Sequence, residues 1–192
     1  MWLCIGGGMF TLLLAAISNR NKGLCNDYSI VIKAKGKELF VDKNDVEGLL
    51  LKAAGGKIKG QAVSSFNLHQ LEQSLKKDSW ISNAEVYFDN QDKLHITVTE
   101  KSPVARVFTT GGNSFYIDEE GRKMPLSDKV SARVPVFTGY PEVKKMAQKD
   151  SLLLQDITQT AGFILQDSFW MAQVAQIDIT EAGKFEMVPV VG

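Results

Sequence analysis

Trp80-Ile81-Ser82-Asn83-Ala84-Glu85-Val86-Tyr87-Phe88, a polar turn from Asp89 to Asp92, and then Leu94-His95-Ile96-Thr97-Val98-Thr99 decide how this chain folds. Ala84, Val86 and Phe88 alternate with Glu85 and Tyr87, and Leu94, Ile96 and Val98 alternate with His95, Thr97 and Thr99. A period of two with one apolar face marks a half-buried strand, and two such runs across a short polar turn read as a hairpin. Trp80 and Ile81, just ahead of it, are placed to fill the space between a helix and that sheet.

Upstream, Tyr28, Ile30 and Ile32 alternate with Ser29, Val31 and Lys33, which predicts a strand. Asp42 followed by Asp45 forms an N-cap pattern, and Val46, Leu49, Leu50 and Ala53 then recur at helical spacing until Gly55 and Gly56. A second helix opens at Asn67 with Gln70 as the other half of a capping box, and Phe66 and Leu71 stand at staple positions. Its apolar face carries Leu68, Leu71 and Leu75. Strand, helix, helix, strand, strand is thus the expected order, with helices layered on a small sheet.

Downstream, Pro103 breaks the pattern and marks a second domain. Strands are expected at Val104 to Thr109, Phe115 to Ile117 and Pro135 to Phe137, with Asp118, Glu119, Glu120 and Gly121 as a solvated turn. A long helix is expected from about Glu142 to Gln166, with Val143, Met146, Leu153, Ile157, Ala161 and Ile164 towards the core. Val174 to Thr180 and Lys184 to Val190 form a final hairpin across Ala182 and Gly183.

From Trp2 to Ile17 no charged residue occurs. Sixteen helical positions at ~1.5 Å each span about 24 Å, short of the ~30 Å hydrocarbon core. Residues 1–18 therefore read as an incomplete, uncleaved membrane anchor, with Trp2, Leu3, Ile5, Phe10, Leu12, Leu13, Leu14 and Ile17 as its apolar body. Arg20 and Lys22 follow it, which would hold the C-terminal side in the cytoplasm. A basic tail and further apolar residues upstream are expected to reverse that balance and place the folded part outside the cytoplasm.

Lysine plus arginine equals aspartate plus glutamate at 22 each in 192 residues, so no net field draws the chain to nucleic acid. Cys4 and Cys25 are read as small apolar residues, since a bridge between them would reach into the bilayer. His69 and His95 are far apart, and two cysteines build no metal cluster. No Gly-x-Ser-x-Gly elbow exists, and Gly55-Gly56-Lys57-Ile58 lacks the Ser or Thr of a phosphate loop. Lys33, Lys35 and Lys37 read as a solvated linker. The expectation is a non-enzymatic protein with no cofactor, no metal and no small-molecule substrate.

Trp80-Ile81-Ser82-Asn83-Ala84-Glu85-Val86, then Leu94-His95-Ile96-Thr97-Val98-Thr99-Glu100-Lys101-Ser102-Pro103-Val104-Ala105, then Phe115-Tyr116-Ile117-Asp118-Glu119-Glu120-Gly121 resemble the FtsQ/DivIB family of bacterial cell-division proteins. The resemblance spans nearly the whole chain. It implies an α+β protein: an N-terminal membrane helix, a POTRA domain over 26–101, and a mixed β domain with one long helix over 103–192. It also implies a single-pass protein of the inner membrane whose periplasmic part is a scaffold at the division septum and helps control septal peptidoglycan synthesis. The implied partners are FtsB-like and FtsL-like coiled-coil membrane proteins. Family members continue past the position of Gly192 with further strands, on which the FtsB-like partner is expected to pair by strand addition. The β domain is therefore expected to be truncated and to lack that contact, and Phe185, Met187 and Val188 are the candidate contacts on the edge strand this leaves. The alternative reading is a POTRA module of an outer-membrane assembly or secretion apparatus.

Overall fold

The structure, a computed structural model, describes residues 23–36, 39–142 and 147–191. The anchor positions Trp2 to Ile17 lie outside the described residues, and among those described no helix is long and apolar enough to cross a membrane. The chain divides into two compact units, one comprising the residues up to Lys33 together with Val41–Glu100, the other Ala34–Phe40 together with everything from Lys101.

The first unit runs β1 (Asp27–Lys33), α1 (Lys43–Ala53), α2 (Leu68–Leu75), β2 (Ile81–Phe88) and β3 (Lys93–Glu100). The order strand, helix, helix, strand, strand is the one the periodicity predicts. Its sheet is ordered β1-β3-β2, with β1 parallel to β3, so that Ile30 meets Ile96, and β2 antiparallel, so that Val86 meets Ile96 from the other side. α1 begins at a reciprocal capping box: Asp42 accepts from the Asp45 N–H at 2.9 Å and Asp45 accepts from the Asp42 N–H at 2.8 Å. At α2, Asn67 accepts from the Gln70 N–H at 3.0 Å. Val46, Leu50, Leu71, Leu75 and Trp80 bury against Ala84, Val86, Leu94, Ile96 and Val98, the apolar halves of the alternating runs.

The second unit runs β4 (Pro103–Thr109), β5 (Ser114–Asp118), β6 (Lys123–Met124), β7 (Val136–Tyr140), α3 (Ala147–Gln166), α4 (Ser168–Gln173), β8 (Val174–Ile179) and β9 (Phe185–Pro189). Its six strands are ordered β6-β5-β4-β7-β8-β9, with β7 parallel to both β4 and β8 and the remaining pairs antiparallel. One sheet face, carrying Ala105, Val107, Ile117, Phe137, Ile177 and Ile179, packs against Ile157, Ala161 and Ile164 of α3. Their spacing of four and three keeps those helical residues on one face.

Four expectations change. Glu142 is not helical; its carboxylate accepts from Thr109 Oγ1 at 2.7 Å and Asn113 Nδ2 at 2.8 Å, so it ties down the β4–β5 turn. The side chains of Val143 and Met146 lie outside the described residues. α4 was not expected, because six residues are too few to show a period; Asp167 caps it by accepting from the Phe169 N–H at 2.8 Å. Lys35 is not simply a solvated linker residue, since its ammonium bonds both Glu119 oxygens at 2.6 and 2.7 Å within the second unit. Asp118 is not a solvated turn residue: it is 3 % exposed, for reasons given next.

Candidate functional site

The β5–β6 turn is built on Asp118. Its carboxylate accepts from the backbone N–H groups of Glu120 (3.0 Å) and Arg122 (2.9 Å) and from Arg122 Nε (2.8 Å), with Lys101 Nζ at 3.6 Å. Burial pushes the Asp118 carboxyl up, but the donors from Arg122 and Glu120 outweigh it and hold it below the ordinary carboxylate range. Glu120 pairs with Arg122 Nη1 at 2.6 Å and Glu119 with Lys35. A cleft of about 560 Å³ between this turn and α3 is therefore rimmed by carboxylates already neutralised.

On the open face of the first unit's sheet, His95 is bracketed by two groups that no spacing along the chain pairs with it. Ser29 Oγ lies 3.0 Å from Nδ1, Asp89 Oδ2 lies 2.8 Å from Nε2, and the Tyr87 ring stacks on the imidazole at 5.1 Å. The register explains it: Ser29, His95 and Tyr87 are cross-strand neighbours on β1, β3 and β2. Serine, histidine and carboxylate follow one another as in a hydrolase relay, here on cross-strand positions where they bridge the sheet. The bonded His95 lowers the Asp89 carboxyl, and the arrangement ties three strands together.

The strand edges differ in how they are protected. On β2, Asp89 N–H bonds Lys93 C=O, so the alternate residues Ala84, Val86 and Phe88 turn their backbones outward. There Glu72, on α2, accepts from the Val86 N–H at 3.0 Å and blocks the middle of the edge. In the second sheet, β6 is a two-residue edge whose Lys123 ammonium lies 5.1 Å from the Phe115 ring and 4.8 Å from Tyr140. A short, lysine-bearing edge gives little for another strand to extend.

β9, at the other end of that sheet, has no such guard among the described residues. Its hairpin closes at Gly183, whose φ of +74° suits glycine, and Thr180 N–H donates to Lys184 C=O at 2.9 Å. Farther along, Val190 N–H donates to Gln173 C=O at 2.8 Å. Residues 184, 186, 188 and 190 therefore turn their backbones inward, and Phe185, Met187 and Pro189 turn theirs outward. The free edge thus offers N–H and C=O at Phe185 and Met187 and a C=O at Pro189, whose missing donor falls on the outside, where no ladder bond is lost.

The side chains of the three candidate contacts divide. Phe185 belongs to the core, its ring 5.6 Å from Phe137, so only its backbone is presented. Met187 is 45 % and Val188 40 % exposed, on opposite sheet faces, opposite Ile177 and Gln176 respectively. Val190 and Val191, beyond the strand, are exposed as well. Which backbone groups face out could not be read from apolar alternation alone, because it depends on the hydrogen-bond phase of the hairpin.

Comparison with known proteins supplies a context for this geometry. Residues 102–192 match the family model described as FtsQ/DivIB, C-terminal related, and residues 23–99 match the POTRA-like domain model. The first unit thus has a POTRA-like fold of mixed α and β content. A search of curated proteins finds no match. Among solved structures, POTRA1-2 of the periplasmic domain of Omp85 from Anabaena is similar at 8 % identity and a TM-score of 0.32, over 89 % of this chain and 98 % of that one.

Proposed function

We propose that this FtsQ/DivIB-like chain is a non-enzymatic scaffold of the bacterial division apparatus, anchored in the inner membrane by residues 1–18, with its two units in the periplasm at the septum. In this reading the partners are FtsB-like and FtsL-like coiled-coil membrane proteins, and the contact is strand addition on β9. The observation that carries it is the outward backbone of Phe185 and Met187 on the one unguarded edge of the β4–β9 sheet among the described residues.

The chemistry is that of a sheet gaining a strand. Two donors and three acceptors on the free edge, at about 1 kcal/mol net per hydrogen bond, supply about 5 kcal/mol, a Kd of roughly 0.2 mM at best. Main-chain pairing alone is therefore too weak for a lasting complex. Burial of Met187, Val188 and Val190 beneath a partner's side chains adds on the order of 1 kcal/mol each, and their apolar character makes a partner strand with alternating apolar residues the best fit.

Met187→Pro tests this, because it deletes an outward N–H while leaving every inward ladder bond in place. The full chain, fused to a fluorescent reporter, is expressed in its native host while the untagged copy is depleted. Wild type is expected to form midcell bands and support normal division, whereas Met187→Pro accumulates to the same level but leaves cells filamentous. A uniform envelope signal, with normal division on depletion, would overturn the division role. Full rescue by Met187→Pro would overturn the edge contact.

A further inference from the structure

The sheet face opposite α3 holds a cation that the fold does not use. Arg106, in the middle of β4, is half-buried, and its Nε is a fully buried donor with no hydrogen-bond partner. Its guanidinium carbon lies 4.9 Å from the Phe108 ring and 5.8 Å from the Tyr116 ring. Among the described residues no acidic side chain pairs with it. Its cross-strand neighbours are Tyr116 and Val136. The nearest acid on this face by register is Asp118, two residues beyond Tyr116 on β5, whose carboxylate is already taken by Arg122 and the N–H groups of its own turn. The next is Asp178 on β8, whose Oδ1 accepts from Thr138 at 2.8 Å. Two strand spacings put Asp178 roughly 10 Å or more from Arg106, out of reach of a direct ion pair.

A buried, unpaired arginine donor is destabilising in itself, and an arginine with an apolar stem would be replaced at no loss by methionine if packing were its only role. The aromatic contacts explain how the group is held and not what it binds. The ring contacts engage the charge of the guanidinium and take up none of its N–H donors, and with Nε buried the outer Nη edge is the part left for an acceptor. The result is a fork fixed in orientation before any acceptor arrives.

We infer that Arg106, braced by Phe108 and Tyr116, is a binding site for a carboxylate carried by an acidic side chain of a partner protein. The acceptor is a carboxylate for two reasons. A planar carboxylate matches the fork in bidentate fashion. A phosphate dianion calls for a second cation or converging N–H groups, and the positions flanking Arg106 across the sheet, Tyr116 and Val136, supply no charge, while Arg106 N–H itself is spent on Pro135 C=O at 2.9 Å. The partly exposed Phe108 ring suits the methylene stem of a glutamate, while Tyr116 is buried beneath. This site lies three strands from β9 and does not depend on strand addition there.

The test uses the full chain in an uncharged detergent and follows the arginine Nε–Hε resonances by NMR while N-acetyl-glutamate methylamide is added. The chain has four arginines, and Arg122, bonded to Asp118 and Glu120, is an internal control. Arg106 is expected to shift with saturation at millimolar concentration while Arg122 stays still, and Arg106→Lys, which keeps the charge and loses the fork, is expected to bind at least ~10-fold more weakly. Arg106→Met is expected to abolish the response with the thermal midpoint unchanged or raised. A linear, unsaturated drift shared with Arg133 would overturn the proposal, as would a lowered midpoint in Arg106→Met, which would make the residue structural. Saturation by inorganic phosphate at lower concentration than by the glutamate probe would overturn the choice of carboxylate.

Discussion

Asp118 shows how one buried carboxylate can organise a turn. Two backbone N–H groups, the Arg122 guanidinium and the Lys101 ammonium converge on it, so removing it leaves several donors unmatched at once. Asp118→Ala is expected to destabilise the second unit by about 3 kcal/mol, since an uncompensated charge is left behind. Because its folded pKa lies below the usual value near 3.8, its contribution is complete above that value and is lost as pH falls through the depressed one. Asp27, bonded to Lys59 at 2.7 Å and lowered to about 2, takes up its proton as pH falls through that value. Equilibrium urea unfolding from pH 5 to pH 2 should therefore show stability falling below about pH 4, less steeply in Asp118→Ala. An identical slope in the two proteins would remove Asp118 from the account.

Among the elements, the edge strands carry the most consequence. Glu72 caps Val86 on β2 and β6 stops after two residues, whereas β9 ends its outward donors only at Pro189. That proline shortens the exposed template by one N–H without weakening the hairpin. Pro189→Val restores the donor and adds a β-former to an already apolar rim, so it is expected to raise self-association with the folded structure intact. Sedimentation velocity across a concentration series would reveal it as a growing dimer or oligomer fraction. A monomer at all concentrations would show that Pro189 does not limit the edge.

For the whole molecule, the two units have separate hydrophobic centres, Leu50 and Leu75 with β1–β3 in one, Ile157 and Phe137 with β4–β9 in the other. Leu50→Ala is expected to cost about 3 kcal/mol, and native-state hydrogen exchange should report the loss in α1, α2 and β1–β3 while protection in β4–β9 persists. Ile157→Ala should give the mirror image. Loss of protection throughout the chain in either variant would mean that the two units unfold as one.

The strand-helix-helix-strand-strand order, the two helix caps at Asp42 and Asn67, the final hairpin and the core face of α3 were all legible because they rest on local rules: a period of two or of about 3.6, and a side chain reaching a backbone N–H three residues away. Such rules need no knowledge of what lies across the sheet. Phe185, Met187 and Val188 could likewise be placed on a strand by alternation, and only the family resemblance made it an edge; the Thr180–Lys184 bond set the phase that turns the Met187 backbone outward and that of Val188 inward. The burial of Asp118, the Ser29–His95–Asp89 bridge, the capping of Val86 by Glu72 and the orphaned Arg106 join residues from 4 to 66 positions apart or depend on what fails to meet them. Tertiary structure alone decided these, because a polar side chain's role is fixed by the partners that register and packing bring to it, and sequence spacing contains neither.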